Sequence, residues 1–269
     1  ASEFNLSETA FVERRPLEVE QTDGVRVRIF TTEEELPFAG HPSLGSACVI
    51  KTEAPETVVN DTVMLALNVG PVPVRFRQKQ GPGGAETVFG EMTQQDAEFG
   101  MELDPDDTAW LTGLSLEDLD PGLPPQIVST GTAFAIVVLK SPEALARLQV
   151  IQREASGWLR ERGARWFYVL APTGEKEPTW LARMQFNGGE DPATGSAAGC
   201  AIAYLVQRGA AASGERIHLR QGVEVDRPGD LYVSAQLENE TGSGEPARVT
   251  GIRVAGSTVL VAKGRLFLP

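Results

Sequence analysis

The sequence predicts an α/β protein of the α+β type, built as two similar lobes, each holding several mainly antiparallel strands and one prominent helix. Three observations carry this prediction. Short segments that alternate apolar and polar residues recur along the 269 residues, as half-buried antiparallel strands do. Helical candidates are few. The third is a repeated phrase: "HPSLGSA" begins at His41 and "DPATGSA" at Asp191, 191 − 41 = 150 positions later. Pro42 and Pro192, Gly45 and Gly195, Ser46 and Ser196, and Ala47 and Ala197 agree in that register.

In chain order, strands are expected at "VRVRIF" (25–30), "TVMLALNV" (62–69), "VPVRFRQ" (72–78), "AFAIVVL" (133–139) and "WFYVLA" (166–171). They continue at "TWLARMQF" (179–186), "RIHLRQ" (216–221), "DLYVSAQL" (230–237) and "TVLVAKGRLFL" (258–268). Helices are expected at 43–53 and 195–208, each following one copy of the phrase, at 141–152 and 154–163, and briefly near 105–114. The Gly-rich stretches 81–86 and 238–247 read as hairpin loops. Pro and Gly concentrate in "DLDPGLPPQ" (118–126), which divides the chain into a first lobe over 1–120 and a second over 121–269. The closing strand, at about 258–269, is free to return to the first lobe. A duplicated unit of this kind explains the phrase, because each half contributes an equivalent loop and helix to the cleft between them.

Composition narrows the function classes. With 24 Lys and Arg against 37 Asp and Glu the net charge is −13, which argues against nucleic acid or an acidic membrane as partner. No apolar run approaches the roughly 20 residues that span a bilayer. The opening "ASEFNLSETA" lacks the basic and apolar regions of a signal peptide, and two cysteines, Cys48 and Cys200, make no disulfide framework or metal-site spacing. A cytoplasmic, reducing setting is the expectation.

Each copy of the phrase has a polar head, proline, glycine and serine leading into an apolar helix. Glycine lets backbone approach a ligand, and the first turn of a helix presents N–H groups with the positive end of the helix dipole. Two such ends facing one cleft cradle a small anion such as a carboxylate; alternatively Ser46 and Ser196 cap their helices and the glycines serve packing. His41 lies between glycine and proline in a turn that presents its side chain, whereas His218, in an alternating strand, reads as structural. Asp191 adjoins Glu190 in a Gly-rich loop, and the residues alone do not choose between them, although the repeat register favours Asp191. A hydrolase using His41, Asp191 and Ser196 is the weaker reading, because Ser196 lacks a Gly-x-Ser-x-Gly elbow.

"SEFNLSETAFV", "ELPFAGHPSLGSA" and "GGEDPATGSAAG" together resemble the family of the phenazine-biosynthesis protein PhzF, with weaker echoes at 128–139, 220–234 and 254–269, so that the resemblance covers nearly the whole chain. It implies a diaminopimelate epimerase-like fold of two pseudo-symmetric lobes, each with antiparallel strands around a central helix. It also implies an isomerase that moves a proton on a small carboxylic acid without a cofactor, as a homodimer. The namesake's substrate is trans-2,3-dihydro-3-hydroxyanthranilate. Glu8 of "LSETAF" is the implied acid/base; nothing in its spacing marks it. His41, Asp191 and Ser196 are implied to line the same pocket, with Gly40 and Gly195 in close backbone contact with the substrate. Relatives elsewhere in the superfamily use paired cysteines, but neither glycine loop here holds one, and Cys48 and Cys200 fall in the apolar helices as core residues. Family members carry a strand, a Gly-Asn-Pro loop and most of a helix before the Ser-Glu-Thr motif, where this sequence has seven residues before Glu8, so the expectation is a chain that starts upstream. A non-catalytic role in binding small anions or proteins is the alternative.

Overall fold

The computed structural model describes residues 1–4, 6, 8–80, 86–177, 179–186, 189–238 and 247–265. The chain opens with β1 (Thr9–Glu13), α1 (Leu17–Asp23), β2 (Val25–Phe30), β3 (Glu35–Leu36) and α2 (Gly40–Glu53). An antiparallel run follows, β4 (Thr62–Leu67), β5 (Gly70–Gln80) and β6 (Glu86–Thr93). Next come β7 (Glu98–Glu102), α3 (Pro105–Thr112), β8 (Gln126–Ser129), β9 (Ala133–Val138), α4 (Pro142–Ala146) and α5 (Gln152–Glu161). The rest is β10 (Trp166–Pro172), β11 (Trp180–Arg183), β12 (Gln185–Phe186), β13 (Gly189–Glu190), α6 (Gly195–Gln207), β14 (Ile217–Gln221), β15 (Gly229–Glu238) and β16 (Arg248–Thr258).

Among the described residues the strands join in the order β1-β2-β4-β5-β6-β16-β15-β14-β11-β10-β9-β8-β7, with β3 on β2, while β12 pairs with β13 alone. Pairing is parallel only for β2 with β4, β9 with β10 and β11 with β14. The expected α+β class with mainly antiparallel strands therefore holds. The chain leaves one set of strands for the other between β6 and β7, at residues 94–97, upstream of the Pro- and Gly-rich stretch 118–126.

Each set of strands has its own helix. α6 is buried from Gly195 to Val206, and its small residues let β8, β9, β15 and β16 close around it. α2 packs on β1, β2, β4, β6 and β16, burying Ala47 and Ile50 while Val49 faces out. One strand ties the sets together: β16 pairs with β15 on one side and with β6 on the other, Val254 lying opposite Met92.

Several expectations need correction. The closing segment is not a strand: β16 ends at Thr258, residues 259–265 have no regular structure, and 266–269 lie outside the described residues. The strand that crosses to the first set is instead β16, masked in the sequence by Gly251 (φ 57°) and by a shift in register against β15 between Ser234 and Gln236. The helix expected over 141–152 stops at Ala146, because the Gln149 and Ile151 N–H groups donate to Thr112 and Leu111 carbonyls and Gln185 takes the Leu148 carbonyl. The strand expected over 179–186 breaks at Met184, whose carbonyl accepts from the Asp191 N–H. Of the two expected hairpin loops, 81–85 and 239–246 lie outside the described residues, and the strands flanking each pair antiparallel.

The helices α2 and α6 meet at their first residues. A Cβ on Gly40 would lie 2.4 Å from the Ser196 nitrogen and 2.5 Å from the Gly195 Cα, so only glycine permits this approach. Gly45, further along α2, has open space where its Cβ would be. Two substitutions should therefore diverge in denaturant unfolding. Gly40→Ala forces backbone apart and is expected to destabilise by ~1–3 kcal/mol. Gly45→Ala only removes the entropic penalty of a helical glycine and should stabilise by about 0.5–1 kcal/mol.

Candidate active site

The contact between the two helix starts sets a second register for the repeat. α2 begins at Gly40 and α6 at Gly195, so equivalent helix positions are 195 − 40 = 155 residues apart, not 150. In that register His41 corresponds to Ser196, each the second residue of its helix, and Asp191 is no longer the counterpart of His41. Neither serine of the phrase caps its helix: the N-caps are Ala39 and Thr194, and neither forms a side-chain cap hydrogen bond. The two helix starts thus meet in one region, and their first N–H groups have no acceptor in their own helix.

That region is a cavity of about 330 Å³. Glu8, Gly40, His41, Asp191 and Ser196 all line it, from four separate segments of the chain. Gly195 does not; it lies behind Gly40, whose Cα is 3.2 Å from where a Gly195 Cβ would be. Gly195 thus packs by its Cα against the start of α2. Carboxylates on the wall are Glu8, Glu33, Glu34 and Asp191, and among the described residues no lysine or arginine joins them. Positive potential comes from His41 and the two helix dipoles. Phe38, Phe134, Trp166, Phe186 and Met184 supply an apolar side that the sequence reading missed, because strand aromatics are indistinguishable from core by pattern alone.

His41 joins two of the carboxylates. Its Nε2 is 3.2 Å from Glu8 Oε2, and its Nδ1 is 4.0 Å from Asp191 Oδ2. The Glu8 side chain, immediately before β1, is 14 % exposed, and that of Asp191 is 5 % exposed. Burial pulls the imidazole down, but the hydrogen bond to Glu8, the charges of Asp191 and Glu8 and a hydrogen bond to the Ala193 backbone outweigh it, holding His41 above the ordinary histidine value. Both ring nitrogens face carboxylates. Among the described residues no hydrogen bond joins Ser196 Oγ to His41, whose nitrogens lie against Glu8 and Asp191 instead.

The adjacent acids have different partners. Glu190 is gripped by Arg183, Nε to Oε1 at 2.9 Å and Nη2 to Oε2 at 2.7 Å, and it tethers β13 to β11. Asp191 faces the cavity and accepts from the Thr194 hydroxyl at 2.8 Å. Thr194, also on the wall, stood unnoticed inside the repeated phrase. His218 is elsewhere: it is paired with Asp230 at 2.7 Å and stacked on Tyr232. Cys200 is buried in α6, and burial pushes its thiol up to about 12, while Cys48 is half-buried. Among the described residues no group of three or more His, Cys, Asp or Glu is arranged to hold a metal.

The sequence family described as phenazine biosynthesis-like protein matches residues 1–264. The chain belongs to that family. A trans-2,3-dihydro-3-hydroxyanthranilate isomerase from Pseudomonas aeruginosa is 31% identical over 271 residues, covering 100% of this chain and 87% of the relative. An uncharacterised isomerase from Mesorhizobium japonicum is 29% identical with the same coverage. Among solved structures, a predicted epimerase from Pseudomonas aeruginosa is 33% identical and superimposes with a TM-score of 0.77 over 100% of this chain and 86% of its own. A hydroxyproline epimerase from Agrobacterium vitis, 12% identical with a TM-score of 0.61 over 93% of this chain and 71% of its own, shares the fold. This phenazine biosynthesis-like protein is an isomerase with the diaminopimelate epimerase-like fold.

The raised proton affinity of His41 has a stability consequence with a definite sign. A histidine held above its unfolded value contributes stability below about pH 6.5, and this contribution is lost as pH rises through the higher folded value. The difference in unfolding free energy between the wild type and His41→Gln should therefore narrow as pH rises above about 6.5 in urea titrations. A gap that widens over that range would contradict the pairing with Glu8 and Asp191.

Proposed function

We propose that the protein moves a proton between carbon atoms of a small carboxylic acid, similar to trans-2,3-dihydro-3-hydroxyanthranilate, with Glu8 as the acid/base. The observation that carries this reading is the 3.2 Å approach of Glu8 to His41 on the wall of a cavity faced by two uncapped helix starts. A carboxylate can take a proton from carbon only where the charge left on the substrate is stabilised. The helix starts at Gly40 and Gly195 suit the substrate carboxylate, and Ser196 adds a hydroxyl donor at the same place.

His41 complements Glu8. An imidazole with raised proton affinity keeps its proton to higher pH than an ordinary histidine, and in that form it offsets charge developing on the substrate and keeps the Glu8 carboxylate oriented. Asp191 holds the other side of the ring and balances that charge. Glu8 then returns the proton at a second carbon, and no group is consumed. The aromatic and aliphatic wall fits a substrate with an apolar body beside its carboxylate.

Incubation with candidate cyclic and amino acids in deuterated water tests the reading, because proton transfer at carbon washes deuterium into a C–H position. Exchange on at least one such acid is expected; ligand binding without exchange across the panel would instead favour a binding role. Glu8→Gln keeps the shape of the side chain but cannot cycle a proton, so turnover should fall at least ~10²-fold with little change in affinity. Ser196→Ala removes one donor from the carboxylate and should weaken binding by about 1–2 kcal/mol with a smaller effect on the chemical step. The reverse order, an inert Ser196→Ala and an active Glu8→Gln enzyme, would support hydrolytic chemistry.

A further inference from the structure

The site leaves unexplained what holds Asp191 in place. Its nearest cation, His41, is 4.0 Å away, beyond hydrogen-bond reach, so the orientation of a nearly buried carboxylate must be fixed by other donors. Two are present. The Ala193 N–H donates to Oδ1 at 3.3 Å and the Thr194 hydroxyl to Oδ2 at 2.8 Å. A threonine hydroxyl has one hydrogen and can turn it elsewhere, so something must direct it.

Gln221, the last residue of β14, does this from behind the cavity wall. It is completely buried, and its amide uses every hydrogen-bonding site it has. Oε1 accepts from the Tyr168 hydroxyl at 3.0 Å and from the Thr194 N–H at 3.1 Å. Nε2 donates to the Thr194 hydroxyl oxygen at 2.8 Å and to the Asp191 carbonyl at 2.7 Å. Turning the amide over would set Nε2 against an N–H and Oε1 against a carbonyl, so the neighbours admit only one orientation. Because Thr194 Oγ1 accepts from Gln221, its own hydrogen is left for Asp191. Burial, reinforced by the negative charge of Asp191, pushes the Tyr168 hydroxyl well above its ordinary range, so Tyr168 stays a donor to Gln221 and the chain of hydrogen bonds runs one way.

We propose that Gln221 is a positioning residue for the active site, fixing the Thr194 hydroxyl as a donor and thereby the rotation of Asp191 that turns Oδ2 toward His41. Gln221 does not line the cavity and touches no substrate; its effect on turnover rests on the isomerase reading above, whereas the geometry it imposes does not. The phrase "RQGVEVDRPGD" that carries it had drawn notice only as a weak family echo.

Two substitutions break the chain at different links. Gln221→Met keeps the length of the side chain and adds no charge but loses the paired donors, and Thr194→Val preserves shape while losing the hydroxyl; Thr194→Ser restores the hydroxyl. The readout is the titration midpoint of the His41 imidazole, followed by NMR on histidine-labelled protein and assigned against His41→Gln, since the chain has two histidines. The charged groups facing His41 are Glu8 and Asp191, with Glu33 and Glu34 on the same wall and Arg165 bound to Glu34. The midpoint should fall in Gln221→Met and Thr194→Val and return in Thr194→Ser. On an exchanging substrate kcat should fall about tenfold or more while KM stays within about threefold.

A midpoint unchanged in the folded variants would overturn the proposal. If Gln221→Met does not fold, the Thr194→Val and Thr194→Ser pair decides by the same criterion. The failures are distinguishable. A shifted midpoint in a protein whose wild type exchanges no carbon-bound proton would keep the positioning role and sink the isomerase reading, whereas normal exchange with an unmoved midpoint would do the opposite.

Discussion

The approach of Gly40 to Gly195 is the constraint from which the rest of the site follows. Two helices belonging to different sets of strands touch backbone to backbone at their first residues, closer than any Cβ at Gly40 would allow. That contact aims two helix dipoles at one cavity and places the second residue of each helix, His41 and Ser196, on its wall. It also brings in residues that neither helix carries. Glu8 arrives at the entrance to β1 and Asp191 at the exit of β13, because β1 runs along β2 and the loop after β13 is tied to Met184. A small change in how the helices meet would move four side chains of the cavity wall at once.

Charge is arranged around the same point. A chain with 37 acidic residues places four of them on the cavity wall and, among the described residues, no lysine or arginine with them. Under the proposed function, anion recognition there would rest on fixed backbone dipoles and on one imidazole whose proton affinity is raised by Glu8 and Asp191. Fixed dipoles suit proton transfer at carbon, since they stabilise negative charge as it develops without having to reorganise. The polar relay from Tyr168 through Gln221 and Thr194 extends this order one layer outward, so that Asp191 too is held by donors that cannot turn away.

Much of this was legible in the sequence, for reasons that differ by residue. Alternation marked β2 to the residue, and the repeated phrase located both central helices. The phrase misled on register, because matching letters align prolines and serines, whereas the helices are related by where their backbones touch, which singles out Gly40 and Gly195. Glu190 and Asp191 could not be separated until Arg183, seven residues upstream of Glu190, was seen to claim its carboxylate. Glu8 carried no local signal at all and came only from resemblance. β16 was overlooked since Gly251 interrupts its pattern, and the apolar alternation of 259–265 was misread because alternation cannot tell whether a free sheet edge exists to receive it.

The central claim is that Glu8 and His41 form one proton-handling unit held across the cleft. A double-mutant cycle on deuterium incorporation at carbon tests it most directly, comparing wild type, Glu8→Gln, His41→Gln and the double variant on one exchanging substrate. If the two residues act as a unit, the double variant should be no more than about threefold slower than the slower single variant. Losses that simply multiply would mean that the 3.2 Å contact between Glu8 and His41 is structural proximity and that the two residues serve the reaction independently.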